Sequence, residues 1–200
     1  MPDYSFENEW KEKGFLAVCG VDEAGRGPLA GNVVAAAVIM PEGLIIEGLD
    51  DSKKLTEKKR EKLYDIILEK AICSIAWATP AEIDEYNILN ATMLAMRRAV
   101  EGLPMKADFA LIDGNCSRGF EIPTQTVVKG DARSYSIAAA SVLAKVTRDR
   151  QCLEMDRMYP EYGFSKHKGY GTKAHYEAIL EHGPSPVHRM SFLKKLYNNE

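Results

Sequence analysis

Three short apolar segments of this sequence, each typical of a buried β-strand, end on or next to acidic residues. They are residues 15–19, followed by Asp22 and Glu23; residues 109–112, followed by Asp113; and residues 124–128, followed by Asp131. A partly buried carboxylate needs a partner, and neighbouring strands of a layered α/β fold end at a common rim. We therefore expect the four acids to meet at one edge of a sheet.

The first acidic pair is followed at once by the turn Gly25-Arg26-Gly27. Side chains that neighbour each other on a regular strand point to opposite faces, so Asp22 and Glu23 can share a site only if the strand has ended or bulged there. The sequence leaves open which of the two binds an ion by its side chain. Glycines let a ligand approach the backbone closely, and exposed amides beside an arginine suit a phosphate.

The remaining chain alternates strands and helices after an initial hairpin. The predicted order is strand 15–19, strand 32–40, helix 56–71, strand 73–78, one or two helices from a capping box at Thr79–Glu82 to Val100, strand 109–112, strand 124–128, helix 134–158, a loop at 162–172, helix 173–182 and a weakly helical tail. This alternation predicts an α/β fold with a mixed sheet flanked by helices. We divide it into an N-terminal arm (1–14), a catalytic domain (15–158) and a C-terminal helical part (159–200).

Composition narrows the classes of protein that fit. The first residues lack a basic and then apolar signal, which argues against secretion, and no apolar run approaches the roughly 20 residues that span a bilayer. The four cysteines form no Cys-x-x-Cys pair, so free thiols in a reducing cytoplasm are expected. The net charge is −3, yet residues 129–200 carry 12 Lys/Arg and 8 Asp/Glu, which is compatible with a nucleic-acid partner.

Four acids in one site would raise one another's pKa unless a cation lies among them. Ligands that are all oxygen atoms favour Mg²⁺ or Mn²⁺ over zinc or copper. Two such ions about 4 Å apart can activate water and stabilise the leaving oxygen of a phosphodiester. The acids therefore predict a two-metal phosphodiesterase.

Tyr170 lies between two glycines, which is neither a good core position nor a good helical one. An exposed aromatic ring on a loop suits stacking against a sugar or base. His167, His175 and His188 lack the spacing of metal ligands, and we assign them no catalytic role.

Six motifs together resemble one known family. They are Gly20–Pro28, Asp51–Leu55, Asp113-Gly114, Lys129–Asp131 with Ser136–Ser141, Lys168–Thr172 and His188–Phe192. In this order, and over nearly the whole chain, they resemble bacterial ribonuclease HII, the type 2 ribonuclease H. The resemblance implies a ribonuclease H-like fold with a small helical C-terminal part.

The resemblance also implies an activity. It is the endonucleolytic hydrolysis of RNA in RNA–DNA hybrids, with incision 5′ of single ribonucleotides embedded in duplex DNA, leaving 3′-hydroxyl and 5′-phosphate ends. Such an enzyme serves ribonucleotide repair and primer removal in replication. The resemblance further implies that the cofactor is Mn²⁺ or Mg²⁺ and that the partner is an RNA–DNA hybrid or a duplex DNA that contains ribonucleotides. It implies a cytoplasmic monomer that does not bind a membrane.

Residue roles follow from motif position. The resemblance assigns catalysis and metal binding to Asp22, Glu23, Asp113 and Asp131. It assigns reading of the 2′-hydroxyl and the nearby phosphate to Gly25, Arg26 and Gly27, and packing at the RNA–DNA junction to Tyr170. Ser52 and Lys53 are expected to hold backbone phosphate.

Two other interpretations remain open at this point. One is a nuclease or strand-transfer enzyme of the same fold that acts on DNA alone; the Gly-Arg-Gly turn and Tyr170 argue against it. The other is a nucleic-acid-binding module without catalysis. The complete set of four acids argues against that, because carboxylates hinder anion binding unless a metal is present.

Overall fold

A five-stranded mixed sheet forms the centre of the molecule, as a computed structural model of residues 1–197 shows. Its strands are β1 (Val18–Ala24), β2 (Val33–Ile39), β3 (Ile72–Ala78), β4 (Phe109–Asp113) and β5 (Thr124–Val127). Their spatial order is β3-β2-β1-β4-β5. Strands β1 to β3 form an antiparallel meander, whereas β4 and β5 run parallel to β1. The predicted α/β architecture is confirmed.

Helices cover both faces of this sheet. They are α1 (Ser5–Glu12), α2 (Glu57–Lys70), α3 (Pro80–Glu101), α4 (Tyr135–Met158), α5 (Phe164–His167), α6 (Lys173–His182) and α7 (Met190–Tyr197). One core cluster packs α3 against the inner strands, and a second packs α2 and α4 against the opposite face. The capping box at Thr79 and Glu82 is present. Within α3, Asn87 has a φ of 66°, so the helix is interrupted there.

The long helix α4 lies directly on the central strand. A Cβ atom at Gly20 would lie 2.3 Å from the backbone nitrogen of Ile137, so the helix and the strand touch backbone to backbone. The Ala138–Ala140 run is fully buried in the same contact. The small side chains at this end of α4 permit the close approach to the sheet.

Two predicted boundaries are wrong. The first strand begins at Val18 and continues to Ala24, instead of spanning 15–19, because the backbone amides of Leu16 and Ala17 donate to the carboxylate of Asp108 rather than to a neighbouring strand. The segment expected to be a loop, 162–172, contains helix α5 and adjoins a 3₁₀ turn at Pro160–Tyr162.

The N-terminal arm is a packed helix. Trp10 of α1 stacks on Phe109 with ring centroids 3.9 Å apart. Glu7 is buried and accepts hydrogen bonds from the Ser134 hydroxyl at 2.7 Å and the Ser136 backbone amide at 2.8 Å. A carboxylate at the N-terminus of α4 is favourable because the free amides and the helix dipole are positive there.

Among residues 1–197, no helix has the length and apolar character needed to cross a membrane.

Candidate metal centre and nucleic-acid cleft

Three acids meet at the edge of the sheet where β1 and β4 end. One carboxylate oxygen each from Asp22, Glu23 and Asp113 lies within 4.8 Å of the others. Asp22 and Glu23 belong to β1, and Asp113 is the last residue of β4. The pairing of β1 with β4 stops at Val21 and Ile112. The next residues of the two strands are Asp22 and Asp113, and these two therefore lie side by side.

The sequence predicted that Asp22 and Glu23 could share a site only if the strand ended or bulged there, and this prediction is wrong. Strand β1 neither ends nor bulges at Asp22 and Glu23, which pair in regular register with Ala36 and Ala35 of β2. They nevertheless share the site, because β4 ends at Asp113 and leaves the other side of β1 open.

The raised pKa values of the three acids indicate that a cation would be bound favourably among them. Burial raises the pKa of Asp22 well above its usual value, and the charges of Glu23 and Asp113 raise it further. The pKa of Glu23 is also raised by burial, although Arg26 opposes this shift. Burial and the charge of Asp131 raise the pKa of Asp113. Clustered carboxylates with raised pKa values and only oxygen donors fit a hard divalent ion such as Mg²⁺ or Mn²⁺.

Asp131 lies beside this group. It is buried in a 3₁₀ turn at Gly130–Ala132, and its carboxylate accepts a hydrogen bond from Lys53 Nζ at 3.0 Å. The preceding amide, of Gly130, donates to Asp113 Oδ1 at 2.6 Å. The loop that carries Asp131 therefore also fixes Asp113.

Two buried serines connect the Asp51–Leu55 motif to the acids. The hydroxyl oxygens of Ser52 and Ser141 are 2.6 Å apart, and Ser141 lowers the pKa of Asp22 slightly, against the larger effect of burial. Ser141 of α4 therefore lies beside the acids.

A cleft of about 370 Å³ opens over the acids. It is lined by Asp22, Glu23 and Asp113 and by all the predicted substrate-binding residues, which are Gly25, Arg26, Gly27, Ser52, Lys53 and Tyr170. Tyr170 is half-exposed, and its ring lies 3.3 Å from where a Cβ atom of Gly27 would be. The structure therefore brings the glycine-rich turn and the tyrosine into one surface beside the acids.

Sequence reasoning missed two buried arginines behind the turn, Arg148 and Arg189. Gly25 has a φ of 95°, and a Cβ atom there would lie 2.7 Å from Arg148 Nε. Arg148 also donates to the carbonyl oxygens of Ala30 at 2.8 Å and Lys168 at 3.3 Å, which ties the turn to the segment preceding Tyr170. The only signal in the sequence was that Arg189 falls within a motif of the resemblance.

Two hydrogen-bonded histidines, His175 and His188, support the backbone at Tyr170. The Tyr170 carbonyl lies 2.9 Å from His175 Nδ1, and His175 Nε2 lies 3.0 Å from His188 Nε2. The Ser185 amide donates to His188 Nδ1. Because a carbonyl only accepts, His175 donates through Nδ1 and accepts from His188, so both rings are neutral. Burial lowers the pKa of each to about 4.

Because these two histidines are neutral in the folded protein, we expect the free energy of unfolding to decrease in mild acid. The unfolded chain takes up protons near pH 6.5 and the folded chain only near pH 4, so the unfolded state binds more protons between these values. The free energy of unfolding is therefore expected to fall as the pH falls through this range, by up to about 3 kcal/mol per histidine. Urea denaturation at pH 7, 6 and 5 measures it.

The matched pair of variants for that experiment is His188→Asn and His182→Asn, since His182 lies on the exposed end of α6. His188→Asn should flatten the pH dependence, whereas His182→Asn should leave it unchanged. Equal slopes for wild type and His188→Asn would contradict the assignment.

The fold and the acids at the ends of its central strands define a ribonuclease H. Among solved structures, ribonuclease H2 from Pyrococcus horikoshii OT3 matches with a TM-score of 0.74 and 28% identity, covering 92% of this chain and 100% of that one. Bst-RNase HIII in complex with Mn²⁺ matches in fold, with a TM-score of 0.66 and 19% identity, covering 85% of this chain and 64% of that one.

Sequence comparison gives the family. The model of ribonuclease HII matches residues 19–195. Ribonuclease HII of Clostridioides difficile (strain 630) is 54% identical over 192 residues, which cover 96% of this chain and 75% of that protein. The chain belongs to the ribonuclease HII family, and it is a hydrolase that cleaves RNA in RNA–DNA hybrids.

Proposed function

We propose that this nuclease also incises duplex DNA 5′ of a single embedded ribonucleotide, leaving 3′-hydroxyl and 5′-phosphate ends. One observation carries the proposal: three of the acids (Asp22, Glu23 and Asp113), the Gly25–Gly27 turn and Tyr170 line the same cleft. A single ribonucleotide differs from its neighbours only by its 2′-hydroxyl. Recognition therefore requires donors and a sugar-packing group within reach of the cutting site, and this cleft supplies both.

We infer that Asp22, Glu23, Asp113 and Asp131 would hold Mn²⁺ or Mg²⁺. Two such ions, when bound, activate a water molecule and stabilise the leaving 3′-oxygen. The protein's own groups position the substrate. Arg26 and the turn amides bind the phosphate and 2′-hydroxyl, while Lys53 and Ser52 orient the backbone next to the acids. Lys145 and Lys168, on the same cleft, add positive charge along the duplex.

One assay tests the proposal against its alternatives. The purified protein is incubated with duplex DNA that contains one ribonucleotide, with Mg²⁺ or Mn²⁺, and the nick is mapped. A nick 5′ of the ribonucleotide supports the proposal. Incision of an otherwise identical all-DNA duplex would favour a nuclease for DNA, and binding of the ribonucleotide duplex without a nick would refute incision.

Removing the Tyr170 ring should impair this incision selectively. Stacking of an aromatic side chain on a nucleotide is worth about 1–3 kcal/mol, so Tyr170→Ala is expected to lower kcat/KM for the single-ribonucleotide duplex by roughly tenfold. Continuous RNA–DNA hybrid, which offers many positions to bind, should be affected less. Nicking rates on the two substrates measure the effect.

Two variants control for it. Tyr170→Phe keeps the ring and should retain activity, and Tyr86→Ala removes an equally exposed ring from α3. Full activity of Tyr170→Ala on the single-ribonucleotide duplex would refute the role at the junction.

We further propose that residues 159–200, of which 198–200 lie outside the described residues, form a substrate-binding part, and that the protein works as a cytoplasmic monomer. In support, one chain supplies both walls of the cleft, and its four cysteines are free thiols. Light scattering across a range of protein concentrations tests the monomer, because a dimer would double the measured mass.

A further inference from the structure

Arg189, immediately before α7, is fully buried against the inner side of the glycine-rich turn. Its guanidinium donates four hydrogen bonds, all to backbone carbonyl oxygens of the turn and of the residues that follow it, up to Gly31. The acceptors are Gly25 at 2.6 Å, Arg26 at 2.9 Å, Pro28 at 2.7 Å and Gly31 at 2.9 Å. The rigid fork of donors on an arginine can satisfy such a set, whereas a single ammonium group cannot match its geometry.

Holding these carbonyls fixes the direction of the amides that follow them. The peptide bonds of the turn are trans, and in a trans peptide the C=O and the next N–H point in opposite directions. With the carbonyls of Gly25 and Arg26 aimed at Arg189, the N–H groups of Arg26 and Gly27 point away from it. Arg189 lies behind the turn while Gly25–Pro28 line the cleft, so these amides face the cleft.

The position of Arg189 is itself fixed by a second contact. Asp84 of α3 accepts hydrogen bonds from the backbone amides of Met190 and Ser191, both at 2.9 Å. It thereby caps the N-terminus of α7, directly after Arg189. The backbone next to Arg189 is therefore anchored from α3, and the Arg189 amide also donates to the carbonyl oxygen of Leu29 at 2.8 Å.

The charge of Arg189 also acts on the turn. Burial and the neighbouring charge of Arg148 lower its pKa to about 9, so the side chain is still charged at neutral pH. Since its hydrogen-bond acceptors are neutral carbonyls, the positive charge is not cancelled by a carboxylate bonded to it. A buried cation behind exposed amides strengthens their attraction for a phosphate.

We propose that Arg189 is a positioning residue that presents the amides of Arg26 and Gly27 to the ribose 2′-hydroxyl and its adjacent phosphate, and so sets the discrimination between ribonucleotide and deoxyribonucleotide. This inference rests on the proposed incision at single ribonucleotides. Arg189 itself does not contact the substrate.

The test measures discrimination rather than activity alone. In an Asp113→Asn background, which prevents cleavage, the affinity is measured for a duplex with one ribonucleotide and for the identical all-DNA duplex. Arg189→Lys is expected to reduce the ratio of the two affinities at least fivefold. Leu193→Ala, which removes a buried apolar side chain of α7 that cannot hydrogen-bond to the turn, serves as the control for lost stability and should leave the ratio unchanged.

A purely structural role would reduce the active fraction and so shift both affinities equally. An unchanged ratio in Arg189→Lys, or an equal drop in Leu193→Ala, would therefore overturn the inference. If the Asp113→Asn parent binds the two duplexes equally, it is the proposed function that fails.

A second measurement does not depend on folding of the Arg189 variant. Amide resonances of ¹⁵N-labelled Asp113→Asn protein are followed while each duplex is added. The Arg26 and Gly27 amide protons are expected to shift more with the ribonucleotide duplex than with the all-DNA duplex. Identical shifts with both duplexes would overturn the inference.

Discussion

Replacing Asp113 with asparagine is expected to lower cleavage of RNA–DNA hybrid by about 10³-fold or more, while hybrid binding stays largely intact. The substitution removes one carboxylate from the three acids that lie within 4.8 Å of one another. Metal ions supply several kcal/mol of transition-state stabilisation in such sites, and each 1.36 kcal/mol corresponds to about a factor of ten in rate. Single-turnover cleavage with Mg²⁺ or Mn²⁺ measures the loss.

The same variant should be at least as stable as the wild type without added metal. Asparagine can still accept the Gly130 hydrogen bond, and the charge it removes is one that raises the pKa of Asp22 and Glu23. Less repulsion among the acids stabilises the fold. Asp65→Asn, on the exposed face of α2, is the matched control and should cleave normally. Unchanged turnover in Asp113→Asn would remove Asp113 from the site.

Gly20→Ala is expected to give the largest loss of stability. The added methyl group would lie 2.3 Å from backbone atoms of Ser136 and Ile137, and backbone cannot move aside as a flexible side chain can. Overpacking of this kind costs about 1–3 kcal/mol, and more where neither element can shift. Because Asp22 is two residues away, cleavage should fall as well. Urea denaturation followed by circular dichroism measures the change in the free energy of unfolding.

Two comparisons make this prediction specific. Adding Ser136→Ala to Gly20→Ala should not restore stability, because the clash is with the helix backbone rather than the serine hydroxyl. Gly27→Ala should leave stability near that of the wild type, since its nearest neighbour is a carbon of the Tyr170 ring at 3.3 Å. Wild-type stability of Gly20→Ala would show that α4 can move away from β1.

The layers of the fold could be predicted because their signals are local. Examples are the Ala-rich stretch of α4, the apolar run of β2 and the cap at Thr79. Each of these signals determines the structure of residues that are only a few positions away in the sequence. The start of β1 could not be predicted in this way. The backbone amides of Leu16 and Ala17 donate to the side chain of Asp108, which is about 90 residues away in the sequence. Such a boundary is decided by tertiary contact, not by the pattern of the strand.

The candidate site divides in the same way. Acids that follow apolar strands are visible in the sequence, so the meeting of Asp22, Glu23 and Asp113 was predictable. How the adjacent pair shares one site was not, since it depends on where β4 stops. The role of Arg189 was hidden for a similar reason: its acceptors lie 158 to 164 residues earlier in the chain.

The contact between Glu7 and the beginning of α4 imposes an order on assembly during synthesis. Glu7 reaches its partners only when residues 134 and 136 have left the ribosome, and Val18 pairs with Phe109. The meander of β1 to β3 is local and can form early, whereas these long-range contacts must wait. Asp113 can therefore join Asp22 and Glu23 only after both strands of their hairpin have been synthesised.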